Sequence, residues 1–149
     1  MQTKLLKFLF FFALLFYFGC RTTQGVTISD TMLAIKQTRI SITAATGEAR
    51  VISQNGREIS SHYHDRQLKF LDVGPKTKER LYTKVTILGA RRPYDITVEV
   101  HVEQRDPDSK NFLDVGLDDR LSLLQAKAIQ QTLNQSREKV QTIDEGAPF

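Results

Sequence analysis

The sequence predicts an α+β fold in which an antiparallel sheet of two hairpins packs against an N-terminal and a C-terminal helix. Apolar and polar residues alternate over two runs between Arg80 and Glu103, which predicts two strands that are each buried on one face. Asn55-Gly56 separates two shorter β-prone runs and predicts a tight turn. Leucines recur at helical spacing after Asp118, and this spacing predicts the C-terminal helix.

The first predicted element is a helix within residues 29–46, with Ser29 or Asp30 as its cap and Gly47 after its end. The alternation in residues 38–43 favours a strand instead, so the sequence leaves both structures open and we expect the helix. The apolar face of this helix is uneven and consists of Met32, Leu33, Ile35, Ile40 and Ala44.

The first predicted hairpin joins residues 50–53 to residues 58–61 through Asn55-Gly56. A two-residue turn of this type requires positive φ at both residues, which Asn and Gly tolerate best. The turn places Ile52 opposite Ile59 on the same face of the sheet.

The second predicted hairpin has one apolar and one charged face, as expected for an antiparallel sheet with one side in water. Its inward-facing residues are Leu81, Thr83, Val85 and Ile87 on one strand and Ile96, Val98, Val100 and Val102 on the other. Superposing the two apolar faces fixes the register. The pairs that agree on this register are Val85 with Val98, Lys84 with Glu99, and Arg80 with Glu103.

The last predicted element is a helix that Asp118 or Asp119 caps and that extends to about Asn134. Its apolar stripe is predicted to contain Leu117, Leu121, Leu124 and Ala128, flanked by Ile129 and Leu133. The pentapeptide Phe-Leu-Asp-Val-Gly occurs at 70–74 and again at 112–116. A strand is predicted after the first copy and a helix after the second, so we interpret the repetition as coincidence rather than duplication.

The N-terminal segment has the features of a secretory signal. Two lysines precede an uncharged apolar run from Phe8 to Gly19, which is shorter than the roughly 20 residues that span a membrane. The sequence Tyr17-Phe18-Gly19-Cys20 resembles the lipobox of bacterial lipoproteins, in which a small residue precedes the cysteine that becomes lipidated. Tyr17 and Phe18 stand where that family usually has Leu and a small residue.

This resemblance predicts a division of the chain and a location for the protein. Residues 1–19 are the expected signal peptide, 20–28 the lipidated cysteine and a short tether, and 29–149 a single α+β domain. Cys20 is the only cysteine, so we interpret it as an attachment site rather than half of a disulfide. The resemblance implies stable membrane anchoring through lipid on Cys20. Arg21 in place of Asp implies the outer membrane, with the domain facing the periplasm.

The charge of the expected mature chain argues against a nucleic-acid partner. Without Lys4 and Lys7, the 21 basic residues fall to 19 against 17 acidic residues, a formal charge of +2. Nucleic-acid-binding domains are usually far more basic. We therefore expect the membrane and an envelope protein as partners, and no nucleic acid.

The most suggestive chemical cluster is His62-Tyr63-His64-Asp65. On a strand His62 and His64 project to the same face, and Asp65 or His101 is the candidate third ligand of a metal ion. This pattern supports an alternative function as a lipid-anchored metal-binding protein or hydrolase. The simpler interpretation is a polar strand end. No complete catalytic motif is present in the sequence, so we expect neither an enzyme nor a cofactor.

Arg91-Arg92-Pro93-Tyr94 lies at the predicted tip of the second hairpin, where side chains are presented to solvent. Two guanidinium groups beside an aromatic ring are suited to anionic headgroups, sugar phosphates or an acidic partner. The sequence therefore predicts a lipid-anchored envelope protein that acts by binding. We expect an accessory or assembly subunit of an outer-membrane or periplasmic complex, docking through a sheet edge or through Arg91, Arg92 and Tyr94.

Overall fold

A computed structural model describes residues 25–145, in which one six-stranded antiparallel sheet packs against two helices. The α+β prediction is confirmed. The elements are β1 (Val26–Thr31), α1 (Ile35–Thr46), β2 (Ala49–Ile52), β3 (Glu58–Ser61), β4 (Glu79–Leu88), β5 (Tyr94–Arg105), β6 (Phe112–Leu117) and α2 (Asp119–Glu145). Cys20 and the predicted signal peptide lie outside the described residues.

The long strand β5 organises the sheet. The strand order is β1-β5-β4-β3-β2, and β6 pairs with the part of β5 that β1 leaves free. Residues 94–98 of β5 lie beside β1, and residues 101–105 lie beside β6. The predicted β4–β5 register is confirmed at all three pairs: Val85 with Val98, Lys84 with Glu99, and Arg80 with Glu103.

The core lies between the inward face of the sheet and the two helices. Every inward position predicted for β4 and β5 is buried, because side chains of a strand alternate between its faces. The largest side chains that are almost fully enclosed are Ile42, Ile59, Leu81, Ile87, Ile96, Leu121 and Ile129. They belong to two clusters: the larger joins α1, β3, β4, β5 and α2, and the smaller joins Leu81 of β4 and Leu121 of α2 to Val100 and Val102 of β5.

The first hairpin has the predicted register but a different turn. Ile52 pairs with Ile59, as the sequence predicts. Only Gly56 has positive φ, at 67°, and its N–H donates to the carbonyl of Ser53 at 2.8 Å. The Oδ1 atom of Asn55 accepts from the N–H of Arg57 at 3.0 Å. Positive φ at Asn55 is therefore a wrong prediction, because its side chain closes the turn locally instead.

The N-terminal helix is confirmed, but it starts later than predicted. Ser29 and Asp30 lie in β1 and cap nothing. Helix α1 follows Ala34 without a side-chain cap and ends at Gly47, where φ is 82°. Pairing with β5 begins at Val26, so the sheet starts ahead of the predicted boundary at residue 29.

The C-terminal helix has the predicted cap and a different extent. Asp118 Oδ1 accepts from the N–H of Leu121 at 2.9 Å, and the helix continues to Glu145 rather than ending near Asn134. Leu124 is 44% exposed, which corrects its place in the predicted stripe. The buried face packs on the sheet and on α1, and consists of Leu121, Ser122, Gln125, Ala126, Ile129 and Leu133.

Candidate functional site

The two histidines of the predicted metal cluster have separate roles. His64 is only 5% exposed, and both ring nitrogens are occupied: Nδ1 lies 2.9 Å from the carbonyl oxygen of Asp65, and Nε2 lies 3.2 Å from Thr83 Oγ1. Burial lowers the pKa of His64 below its usual value, because desolvation disfavours the charged ring. His62 is exposed and packs edge-on against Phe70, with 6.0 Å between ring centroids.

Asp65 is also engaged locally. Its Oδ1 accepts from the backbone N–H groups of Gln67 and Lys69 at 2.8 and 3.0 Å, which shapes the turn after His64. Among residues 25–145, no group of three His, Cys, Asp or Glu side chains is arranged to hold a metal ion. The structure therefore does not assemble His62, His64 and Asp65 into the predicted ligand set.

The predicted tip at residues 91–94 is divided between surface and core. Arg91 and Arg92 are exposed, whereas Tyr94 is only 8% exposed and belongs to the main apolar cluster. The expectation that Tyr94 is presented beside the arginines is wrong. Tyr94 is the first residue of β5 and falls on its inward face, together with Ile96.

Three turns meet at the end of the sheet that carries Arg91 and Arg92. Arg57, in the β2–β3 turn, donates to the carbonyl oxygens of Gly89 and Ala90 in the β4–β5 turn, the latter at 3.4 Å. Arg92 Nη1 donates to the carbonyl of Met32, between β1 and α1, at 3.3 Å. These contacts bring separate segments of the chain into one surface.

We call this surface the basic end, and it contains five cationic side chains together with exposed apolar ones. The cations are Lys36, Arg39, Arg57, Arg91 and Arg92, and the apolar side chains are Met32, Ile40, Ile52 and Leu88. Arg39 belongs to the group because it packs over Gly56 in the β2–β3 turn. Two carboxylates, Asp30 and Asp95, lie at the same end.

None of the five cations of the basic end forms an ion pair within the described part of the chain. Asp95 Oδ1 accepts from the backbone N–H of Asp30 at 3.3 Å instead. The ion pairs of the described residues lie elsewhere, on the outer face of the sheet and near its opposite end. The positive charge of the basic end is thus open to solvent.

The outer face of the sheet, opposite the helices, holds its arginines in a different environment. Arg80 lies between two rings, 4.0 Å from the centroid of Tyr63 and 3.9 Å from that of Phe112, and its Nε is 2.5 Å from Glu103 Oε2. Arg50 covers Tyr63 and Arg105 covers Phe112, at 4.5 and 4.6 Å. We call these alternating cations and rings the outer-face stack.

A cleft opens on the other side of the molecule, with a volume of about 740 Å³. Its walls are the end of α1 at residues 45–48, the segment 62–70, and two residues of α2, Gln125 and Ala128. Gln125 is only 6% exposed, and its side-chain amide makes no hydrogen bond with residues 25–145. Phe70, at the rim, is 73% exposed.

The sheet also has two open edges, which the sequence analysis raised as docking sites. The edge strand β2 carries Val51 and Ile52, and β6 carries Leu113 and Val115, all at least half exposed. Exposed apolar edge strands are sites at which another chain can pair. Docking through an edge stays a prediction.

Comparison with known proteins gives no relative: no protein-family model matches the chain, and no curated protein matches it. In residues 25–145 there is no helix with the length and apolar character that crossing a membrane requires.

Sequence reasoning found Arg91 and Arg92 but missed Lys36, Arg39 and Arg57 as members of the same surface. Arg57 follows the Asn-Gly turn, and the pairing of β3 with β4 places that turn beside the β4–β5 turn. Assuming that the two predicted hairpins are neighbours in one sheet would therefore have placed Arg57 beside Arg91 and Arg92. Lys36 and Arg39 have no comparable signal, because their position depends on how α1 packs on the sheet.

Proposed function

We propose that this protein is a lipid-anchored envelope protein that acts by binding rather than catalysis, as an accessory or assembly subunit of an outer-membrane or periplasmic complex. Its contact surface is the basic end. The partner offers anionic groups, either carboxylates of a protein or phosphates of lipid headgroups, since both suit guanidinium donors.

The observation that carries this proposal is the combination of unpaired cations and exposed apolar side chains at one end of the sheet. Interfaces are enriched in arginine and apolar groups, while a merely solvated turn needs neither. Lys36, Arg91 and Arg92 are the exposed cations of the group, whereas Arg39 and Arg57 are half-buried by contacts within the protein.

In this proposal the anchor holds the whole domain near a membrane. Strand β1 runs from Val26, beside Val98, to Thr31, beside Tyr94, so the tether enters at the end of β1 that is farther from the basic end. Gly25 already lies against β5, since a Cβ atom there would come within 3.0 Å of the carbonyl oxygen of Val98. Five residue steps separate Cys20 from Gly25, and an extended chain covers at most about 18 Å in that distance. Lipid on Cys20 therefore keeps the domain near the bilayer surface.

The binding surface is tested with Arg91→Ala/Arg92→Ala, compared with Lys76→Ala/Lys78→Ala as a matched control. The control also removes two exposed positive charges, but at the opposite end of the sheet. We expect crosslinked co-purification from envelopes to lose a partner or membrane association in the arginine variant only. The loss should be mimicked in the wild type by raising salt from 0.1 to 1 M, because screening shortens from about 10 to about 3 Å.

Equal co-purification of both double variants and the wild type would refute the basic end as the contact surface. Vesicles with and without anionic lipid separate the two sources of anionic groups. Binding of the wild type to anionic vesicles alone identifies lipid phosphate, and binding only in envelopes identifies a protein.

The anchor is tested separately with Cys20→Ala. We expect metabolic labelling with a fatty acid to mark the wild type and not the variant, because Cys20 is the only thiol. Equal labelling of the two proteins would contradict lipidation of Cys20. It would leave the binding experiment on the basic end unaffected.

A further inference from the structure

We propose that the cleft between α1, α2 and residues 62–70 binds a lysine or arginine side chain of a peptide segment from a partner protein. This site is separate from the basic end and does not depend on the function proposed for it. Its volume of about 740 Å³ is within the range of pockets that hold small ligands or a few residues of peptide.

The charge of the cleft favours a cation. Glu48 is the only Asp, Glu, Lys or Arg among its lining residues, and its carboxylate forms no ion pair within the described chain. Helix α1 ends at the cleft, and its last turn contains no basic side chain. The carbonyl groups at a helix C-terminus carry partial negative charge, which adds to that of Glu48.

The depth of the cleft holds an unused hydrogen-bonding group. Gln125 is more than nine-tenths buried and makes no side-chain hydrogen bond with the described residues, and it is not among the fully enclosed atoms without a partner, so its amide reaches the solvent of the cleft. A buried amide without a partner is unfavourable unless water or a ligand satisfies it. The amide oxygen of Gln125 is therefore an acceptor available to an ammonium or guanidinium group that enters the cleft.

The walls suit the aliphatic part of such a side chain. Ala45, Leu68 and Ala128 are apolar, and Phe70 presents its ring at the rim, packed against His62. Lysine and arginine combine an aliphatic stem with a cationic head, so they match apolar walls that carry an exposed carboxylate, Glu48, and an enclosed amide, Gln125. His64 contributes only to the wall, because both of its ring nitrogens are already bonded.

The test is a titration of the ¹⁵N-labelled full chain, held in detergent micelles, with acetyl-Leu-Lys-Leu-amide. The control peptides replace lysine with norleucine, which keeps the stem without the charge, or with glutamate. We expect the lysine peptide to shift the amide resonances of residues 45–48, 62–70 and 125–128. The norleucine peptide should bind about tenfold more weakly, since a hydrogen bond to a charged group is lost.

Substitutions locate the site. Glu48→Gln should weaken binding of the lysine peptide about tenfold, and Gln125→Met should weaken it several-fold. Asp72→Asn, at an exposed carboxylate outside the cleft, should leave the affinity for this peptide unchanged. Phe70→Ala provides a second probe, because this exposed ring can be removed without opening the core. Absence of shifts, shifts confined to the basic end, or equal binding of the lysine and norleucine peptides would overturn the proposal.

Discussion

Arg80 of the outer-face stack and the arginine pair Arg91 and Arg92 of the basic end have different environments. In the stack, Arg80 is enclosed by Tyr63 and Phe112 and paired with Glu103. At the basic end, Arg91 and Arg92 are exposed, and no carboxylate of the described chain pairs with them. The first arrangement pairs the cation with rings and a carboxylate, and the second gives it no carboxylate partner among the described residues.

The comparison teaches that the environment of a cation, rather than its presence, indicates its role. A stacked and paired arginine contributes to stability through its rings and carboxylate. An exposed arginine without such neighbours contributes little to stability, as is usual for surface side chains.

The largest effect is expected for Arg80→Ala. The change removes two cation–π contacts and leaves Glu103, which is mostly buried, without its partner. We expect the free energy of unfolding to fall by about 2–3 kcal/mol, measured by urea denaturation. Arg80→Lys keeps the charge and should lower the free energy of unfolding by less than Arg80→Ala does. A loss below about 1 kcal/mol for Arg80→Ala would remove the basis of the comparison.

A smaller, pH-dependent effect is expected for Glu79. Arg66 donates to both carboxylate oxygens at 2.7 Å, and this hydrogen bonding lowers the pKa of Glu79 below its usual 4.5. Because the folded state binds the proton less readily than the unfolded state, the pair stabilises the fold above about pH 4.5, and this contribution disappears as the pH falls further.

Glu79→Gln should therefore reduce stability at pH 7 by about 1 kcal/mol or less, since Arg66 is half exposed, and should flatten the decline on acidification. Urea denaturation at pH 7 and at pH 3.5 measures both quantities. If the stability of the variant falls with acidification as steeply as that of the wild type, the Arg66–Glu79 pair is excluded as a source of the acid sensitivity.

A still smaller effect is expected for Lys84, whose Nζ lies 3.8 Å from Glu58 Oε2 on the neighbouring strand. Lys84→Glu should cost about 0.5 kcal/mol, because the pair is partly exposed. Adding Glu58→Lys should restore most of that loss in thermal melts. If Glu99→Lys restores the stability instead, the carboxylate that interacts with Lys84 is that of Glu99 in β5 rather than that of Glu58.

The smallest effect is expected for Arg91→Ala/Arg92→Ala. Both side chains are exposed and lie outside the apolar core, so the free energy of unfolding should change by no more than about 0.5 kcal/mol. Thermal melting and urea denaturation check this value. A loss comparable with that of Arg80→Ala would mean that the two arginines are structural, and the comparison between the two regions would fail.

Local patterns in the sequence predicted the centre of the fold. The register of β4 and β5 follows from alternation alone, because a shift by one residue would turn every apolar side chain toward water. Gly47 and Asp118 mark helix ends through chemistry confined to neighbouring residues. The sequence also suffices to raise the lipobox resemblance around Cys20, which lies outside the described residues.

Strands at the margins of the sheet escaped this kind of reasoning. Strand β6 alternates Leu113, Val115 and Leu117 with Asp114 and Gly116, but Leu113 and Val115 are exposed, so the alternation does not mark a face that is buried in the core. Strand β1 is short, and its Ser29 and Asp30 equally suggest a helix cap. Both strands pair with β5, and the fold of the whole chain, rather than their own residues, brings them beside it.

The candidate sites were decided by tertiary structure for the same reason. The basic end joins side chains from α1 and two turns, and these become neighbours only when the strand order brings the turns together. Tyr94 and His64 have polar sequence neighbours, yet packing encloses both. Sequence periodicity reports contacts between residues near in the chain, whereas a surface or cleft built from distant segments requires the folded arrangement.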